Sequence, residues 1–161
     1  MKRRHPLFLI RSFYMTTPSV VFDLSSYQPD FQAAAASTLK TGIAVLDDLD
    51  LRAVCIKATQ VDGGYGWSLE YAVEISQLYR IFLFLCLRYP DQKILPPREV
   101  DEFWHLHILD TRAYVRDCEQ VFGQYLHHFP YAGLRGAQHP HEEALVEATL
   151  ALVRKHFPEW V

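Results

Sequence analysis

The feature that most constrains the fold of this chain is a helix that is apolar on almost every side. Residues 68–89 contain neither Pro nor Gly, and Pro90 ends the run. Between Leu78 and Leu87 apolar side chains cover nearly the whole circumference of such a helix. A helix of this kind is buried by neighbours on most sides, so the sequence predicts other elements packed around it.

Hydrophobic periodicity predicts that these other elements are also helices. Half of the 161 residues are apolar and 14% are aromatic, which is enough to bury a substantial core. Helical spacing and proline-free runs predict further helices at about residues 30–39, 43–57, 98–126 and 142–156. The predicted fold is therefore all-α, a compact bundle of about four or five helices.

Residues 1–29 are predicted to form a partly flexible, extended N-terminal arm, and residues 30–161 a single helical domain. The first fourteen residues are either a flexible arm or the product of an upstream start site. Their apolar run is too short for a signal peptide, and the whole sequence contains no stretch that resembles a membrane span.

Composition excludes some partners and suggests a compartment. The net charge of −3 gives no general attraction to nucleic acid. Cys55, Cys86 and Cys118 show neither paired nor CxxC spacing, which argues against a disulfide framework or a zinc knuckle. Reduced thiols in a cytoplasmic protein are the simplest interpretation. The oligomeric state is left open.

The groups most capable of chemistry are concentrated between Leu95 and Tyr131. In a regular helix beginning after Pro96-Pro97, Val100, Trp104 and Cys118 share an apolar stripe. His105 and His107 then lie about 160° apart, so a regular helix cannot direct both at one metal ion. His105 can meet Asp101, one turn earlier.

A motif in this stretch resembles a known family. It reads Val100-Asp101-x-x-Trp104-His105-x-His107, followed by Tyr114, Asp117-Cys118 and Gly123. It is similar to the core motif of the glycine-rich domain-containing-protein-like family, although the glycine-rich tail of that family is absent here. The resemblance implies that His105 and His107 are important, without implying an activity.

The first functional hypothesis is a small metal-dependent enzyme. Imidazole is the commonest metal ligand among side chains, and zinc, copper and iron are all candidates. The candidate ligands are Asp101, His105, His107, His127 and His128. Residues 105 and 127 would be about 33 Å apart along one straight helix, so His127 or His128 can join only if the chain folds back. A nucleophilic Cys118 is a further alternative, although its place on the apolar stripe favours an inert thiol.

The second hypothesis is a binding module for a protein partner or a small molecule. Its docking surface would be the aromatic loop from Phe129 to Tyr131. The other candidate binding residues are Arg80, Trp104, Arg112 and Tyr114. Arg80 is expected to pair with an acid such as Asp101 or Asp110, or to form a salt bridge at the surface or between helices. Because no complete catalytic constellation can be assembled from the sequence, the binding module is favoured, and enzymatic activity is left open.

Overall fold

The computed structural model describes residues 33–128 and 142–160, with side chains for residues 41–128, 144–158 and 160. The predicted arm at residues 1–29 and the aromatic loop Phe129–Tyr131 lie outside these residues. The division into an arm and one domain therefore stays a prediction.

The described part of the chain consists of helices and their connecting segments and contains no strand, so the predicted all-α class is confirmed. The six helices are α1 (Ala33–Asp48), α2 (Arg52–Thr59), α3 (Leu69–Arg88), α4 (Arg98–Leu109), α5 (Thr111–Phe122) and α6 (Glu142–His156). A short 3-10 helix, Pro158–Trp160, follows α6. None of these helices has the length and apolar character needed to cross a bilayer.

The apolar helix α3 is the centre of the bundle, as predicted. The Ser68 hydroxyl caps its start by accepting a hydrogen bond from the Tyr71 N–H at 3.1 Å. Five consecutive residues, 81–85, are buried, which requires neighbours on every side of the helix. Those neighbours are α1, α2, α4 and α6, each of which contacts α3.

The prediction of a single helix over residues 98–126 is wrong, because the helix is interrupted at Asp110. The Asp110 backbone leaves helical geometry, with φ −80° and ψ 70°, and its side chain accepts a hydrogen bond from the Ala113 N–H at 3.3 Å. Asp is a preferred N-cap residue, so it ends α4 and begins α5 at the same point. The two helices pack against each other, and α5 also packs on α1.

A second predicted helix, over residues 43–57, also divides in two. Residues 49–51 separate α1 from α2, and the Asp50 side chain accepts a hydrogen bond from the Arg52 N–H at 3.1 Å. Aspartate side chains offer the backbone such local alternatives to a continuing helix. The last helix, in contrast, has the predicted bounds, Glu142–His156.

Arg80 does not form the predicted pair with Asp101 or Asp110. Its guanidinium donates hydrogen bonds to the main-chain carbonyls of Leu46 and Leu49, at the end of α1. The last carbonyls of a helix have no partner within it, so the partly buried Arg80 guanidinium satisfies them. Arg80 therefore fastens α1 to the central helix α3.

Candidate metal centre

Three side chains that could hold a metal ion meet at the surface of the bundle: Asp101, His105 and His128. Asp101 and His105 lie one turn apart on α4, so they project from the same face of that helix. His128 lies in the segment that follows α5. One potential ligand atom from each of the three residues falls within 4.8 Å of the other two.

The contacts within this triad are short. The Nε2 atom of His128 lies 2.9 Å from Asp101 Oδ1 and 3.0 Å from His105 Nε2. His105 Nε2 lies 3.5 Å from Asp101 Oδ2. With metal–ligand bonds of about 2.0–2.1 Å, neighbouring ligands stand about 3.0 Å apart in octahedral geometry and about 3.4 Å apart in tetrahedral geometry. The triad has the spacing of ligands around one small ion.

The triad is open to solvent on one side. The side chain of His105 is 43% exposed and that of Asp101 is 35% exposed, whereas that of His128 is only 12% exposed. Burial raises the pKa of the nearby Tyr65, the carboxylates of Glu102 and Asp101 raise it further, and Arg98 opposes them. An ion bound at the triad would remain accessible to a small molecule from the exposed side of His105.

The break at Asp110 is what makes the triad geometrically feasible. If one straight helix continued without interruption, residues 105 and 127 would be about 33 Å apart. Instead α5 turns back along α4 and ends at Gly123, whose φ of +69° is the left-handed conformation favoured at helix ends. The following segment then returns to α4, where His128 meets His105.

His107 belongs to a different, buried network. Its side chain is 2% exposed, and its Nδ1 lies 3.0 Å from the Tyr79 hydroxyl. Its Nε2 lies 3.1 Å from Asp117 Oδ2, while Arg116 Nε donates to Asp117 Oδ1 at 2.9 Å. Burial lowers the pKa of His107, and the hydrogen bond with Asp117 opposes that shift. The neutral ring therefore fits as an Nε2–H donor to Asp117 and an Nδ1 acceptor from Tyr79.

The remaining candidate ligand, His127, is exposed and does not join the triad. Its ring contacts the Tyr125 ring, with centroids 4.8 Å apart. The adjacent His128 ring instead contacts Asp101 and His105 on α4, so the two neighbouring imidazoles have different partners. Of the five candidate ligands, three come together, and His107 and His127 do not.

The candidate binding residues also have distinct environments. Trp104 and Tyr114 are buried in the core, at 6% and 1% exposure, and are hydrogen-bonded to each other. Arg112 is exposed on α5. Phe129 and Tyr131 lie outside the described residues. Direct contact between a partner and Trp104 or Tyr114 would require this part of the core to open.

Cys118 has the character of a structural thiol. It is 3% exposed, and burial is the largest cause of its raised pKa. A thiol must ionise to act as a nucleophile, so this environment disfavours the catalytic alternative for Cys118.

Sequence reasoning did not assign roles to Tyr79 and Asp117, which hold His107 in place. Asp117 is part of the motif and Tyr79 lies in the predicted central helix, so their positions were visible, but their partners were not. Tyr79 and His107 are 28 residues apart and lie on different helices. Only the packing of α3 against α4 brings their polar atoms together.

Comparison with known protein families corrects the resemblance stated above. The family model that matches the chain is described as UCP032817-like, and the match covers residues 64–151. This finding overturns the assignment to the glycine-rich domain-containing-protein-like family. No match was found among curated proteins or among solved structures. The match spans more than half of the 161 residues, from the loop before α3 into α6, and includes the complete triad; the chain belongs to the UCP032817-like family.

Proposed function

We propose that this chain is a metal-dependent enzyme in which Asp101, His105 and His128 bind one divalent transition-metal ion. The observation that carries the proposal is the convergence of two imidazole nitrogens and a carboxylate on one point. Two histidines and one carboxylate are a recurring ligand set for catalytic zinc and for non-haem iron(II). Zinc and iron are therefore preferred to copper among the candidate metals.

Proton counting supports an ion rather than a hydrogen-bonded cluster. His128 Nε2 lies about equally close to Asp101 Oδ1, at 2.9 Å, and to His105 Nε2, at 3.0 Å. A neutral imidazole carries a single N–H, so that hydrogen can serve only one of the two contacts. A metal ion at the centre would satisfy all three groups at once, with each imidazole neutral and the carboxylate ionised.

The number and exposure of the ligands support a catalytic role. Structural zinc sites are usually closed by four protein ligands, whereas catalytic sites retain a position for water or substrate. Within the described residues three ligands meet, and His105 is 43% exposed. A metal in such a site supplies Lewis acidity and lowers the pKa of a bound water, which suits hydrolysis.

The binding module is now the second hypothesis. Two of its candidate residues, Trp104 and Tyr114, are buried, and Arg80 is engaged with main-chain carbonyls. Its docking loop from Phe129 to Tyr131 lies outside the described residues. No described contact favours a protein partner over a small-molecule substrate, so the partner stays a prediction from sequence.

We also retain a cytoplasmic location as a proposal. Cys55, Cys86 and Cys118 are free thiols, and burial raises the pKa of Cys86 to about 12. Unpaired, unreactive thiols are compatible with a reducing compartment.

Metal binding is tested by elemental analysis of the purified full chain, followed by removal of metal and titration with zinc and, without oxygen, with iron(II). We expect about one ion per chain in the wild type and in His127→Ala. We expect its loss, or at least 10- to 100-fold weaker binding, in His105→Ala and His128→Ala. His127→Ala is a matched control, because it removes an exposed imidazole beside His128 but outside the triad.

Two results would overturn the proposal. In one, the wild type binds neither ion. In the other, His127→Ala loses the metal as completely as His128→Ala, which would place the ion elsewhere.

A further inference from the structure

We propose that Tyr114 and Trp104 are positioning residues for the metal centre: their hydrogen-bonded side chains set where His128 stands relative to Asp101 and His105. This inference rests on the proposed function, and it assigns a task to two residues that do not reach the triad's ligand atoms. It concerns the segment between Gly123 and His128, which brings the third ligand to α4.

The Tyr114 hydroxyl is at the centre of the arrangement. It accepts a hydrogen bond from Trp104 Nε1–H at 2.8 Å and donates one to the Leu126 carbonyl at 2.6 Å. Both side chains are buried, so these bonds form away from competing water. The hydroxyl thus joins α4, α5 and the returning segment at one point.

Two contacts transmit this arrangement to His128. Leu126 is two residues before His128, so the bond to its carbonyl fixes the backbone just ahead of the ligand. The Trp104 ring meets the His128 ring edge-on, with centroids 4.5 Å apart, and limits rotation of the imidazole.

Core packing alone does not explain a tyrosine at position 114. A phenylalanine would fill the same space without placing a hydroxyl in the core, where an unbonded polar group is costly. The hydroxyl is accommodated because it has both a donor and an acceptor partner. One partner, Trp104, contacts the His128 ring, and the other, the Leu126 carbonyl, lies in the segment that contains His128.

Metal sites are sensitive to such supporting groups. Changes in residues that orient a ligand, without binding the ion themselves, commonly weaken metal affinity about 10- to 100-fold. His128 follows a helix rather than lying within one, so helical geometry does not fix its position. The Tyr114 hydroxyl and the Trp104 ring supply a restraint on it.

The test uses the full chain with Tyr114→Phe and Trp104→Phe, with Tyr125→Phe as the matched control. Tyr125 contacts the Tyr114 ring, with centroids 5.2 Å apart, but is 40% exposed. Cobalt(II) is the metal probe, because its visible spectrum reports coordination geometry. Imidazole nitrogen NMR of the metal-free protein, with His127 as an internal reference, reports the environment of His128.

In Tyr114→Phe we expect cobalt to bind about 10- to 100-fold more weakly with an altered visible spectrum. We expect the His128 imidazole signal to move while the His127 signal stays in place. Trp104→Phe, which removes the N–H and shortens the ring, is expected to alter the same three measurements. Tyr125→Phe should match the wild type. A purely structural role would lower the melting temperature and leave the spectrum of the loaded protein unchanged.

Failure of the proposed metal site and failure of the positioning role would give different results. If the wild type binds neither cobalt nor zinc nor iron(II), the proposed function fails, whereas the NMR comparison still tests the positioning of His128. If either variant folds and keeps the wild-type affinity, spectrum and His128 signal, the positioning role of that residue is overturned. Should Tyr114→Phe not fold, Trp104→Phe decides the question by the same three measurements.

Discussion

At the scale of single residues, two histidines separated by one leucine have unrelated environments. His105 lies at the surface within hydrogen-bonding distance of another imidazole, and His107 is enclosed by Tyr79 and Asp117. Their angular separation on a helix was predictable from the sequence. The sequence did not predict which of the two histidines points into the core, because that depends on the partners that α3 and α5 supply.

The first prediction compares the same substitution at these two positions. His107→Ala should lower the free energy of unfolding by about 3 kcal/mol, because it leaves a cavity and removes a hydrogen-bond partner from both Tyr79 and Asp117. His105→Ala should change it by no more than about 0.5 kcal/mol in metal-free protein. Urea unfolding of both variants measures the difference. Equal losses would contradict the separate roles assigned to them.

The second prediction concerns the pH dependence of stability. Burial lowers the pKa of His107, so between that folded value and the unfolded pKa of about 6.5 the unfolded chain binds more protons. Stability should therefore be fully present above about pH 6.5 and fall as the pH is lowered, by at most about 1.4 kcal/mol per pH unit from this group.

This is measured by urea unfolding of metal-free protein between pH 7.5 and 5.5. His107→Gln should show a shallower dependence than the wild type. His156, whose pKa is also lowered chiefly by burial, keeps part of the dependence in both proteins. An identical slope in the two proteins would show that His107 does not titrate as described.

At the scale of elements, the turn at Asp110 has the largest consequence for the site. It converts a predicted single helix into the pair α4 and α5, and so brings residue 128 beside residue 105. The turn contains neither Pro nor Gly, and its signal is one aspartate before a threonine. An aspartate in a helical sequence is common on solvated faces, so sequence alone did not distinguish a cap from an exposed side chain.

The third prediction tests this cap. Asp110→Ala removes the acceptor for the Ala113 N–H and should destabilise the chain by about 1 kcal/mol. Asp110→Asn retains a side-chain oxygen and should cost much less. Chemical denaturation of the three proteins gives the comparison. A loss in the asparagine variant as large as in the alanine variant would show that the side-chain cap is not what stabilises the turn.

Hydrophobic periodicity sustained over many residues made other helices predictable. The central helix and the final helix have strong periodicity and clear ends, Pro90 for the first, and both match their predicted ranges closely. The site was predicted only as a set of candidates. Asp101 and His105 could be paired from their spacing within one turn, whereas His128 joins them through a chain reversal that no local pattern specifies.

At the scale of the whole molecule, a buried scaffold supports a partly exposed centre. The central helix α3 packs on α4, while Arg80 fastens α1 and Tyr79 fixes His107. The packing on α3 and the Tyr79–His107 hydrogen bond hold α4 in place, and α4 in turn presents Asp101 and His105. Because the third ligand comes from beyond α5, a bound ion would connect two parts of the fold.

The fourth prediction follows from that connection. Zinc at about one hundred times its dissociation constant should stabilise the folded chain by about 2.7 kcal/mol and raise the melting temperature by about 5–10 °C. Calorimetry with and without zinc measures the shift, and His128→Ala is expected to show none. A shift of equal size in that variant would mean that the ion binds outside the triad.

The most direct measurement of the central claim is X-ray absorption on the zinc-loaded full chain. The account predicts two imidazole ligands with oxygen donors at about 2.0–2.1 Å and no sulfur, and one fewer imidazole in any zinc retained by His128→Ala. A sulfur ligand, a single imidazole in the wild type, or an unchanged imidazole count in the variant would contradict a centre built from Asp101, His105 and His128.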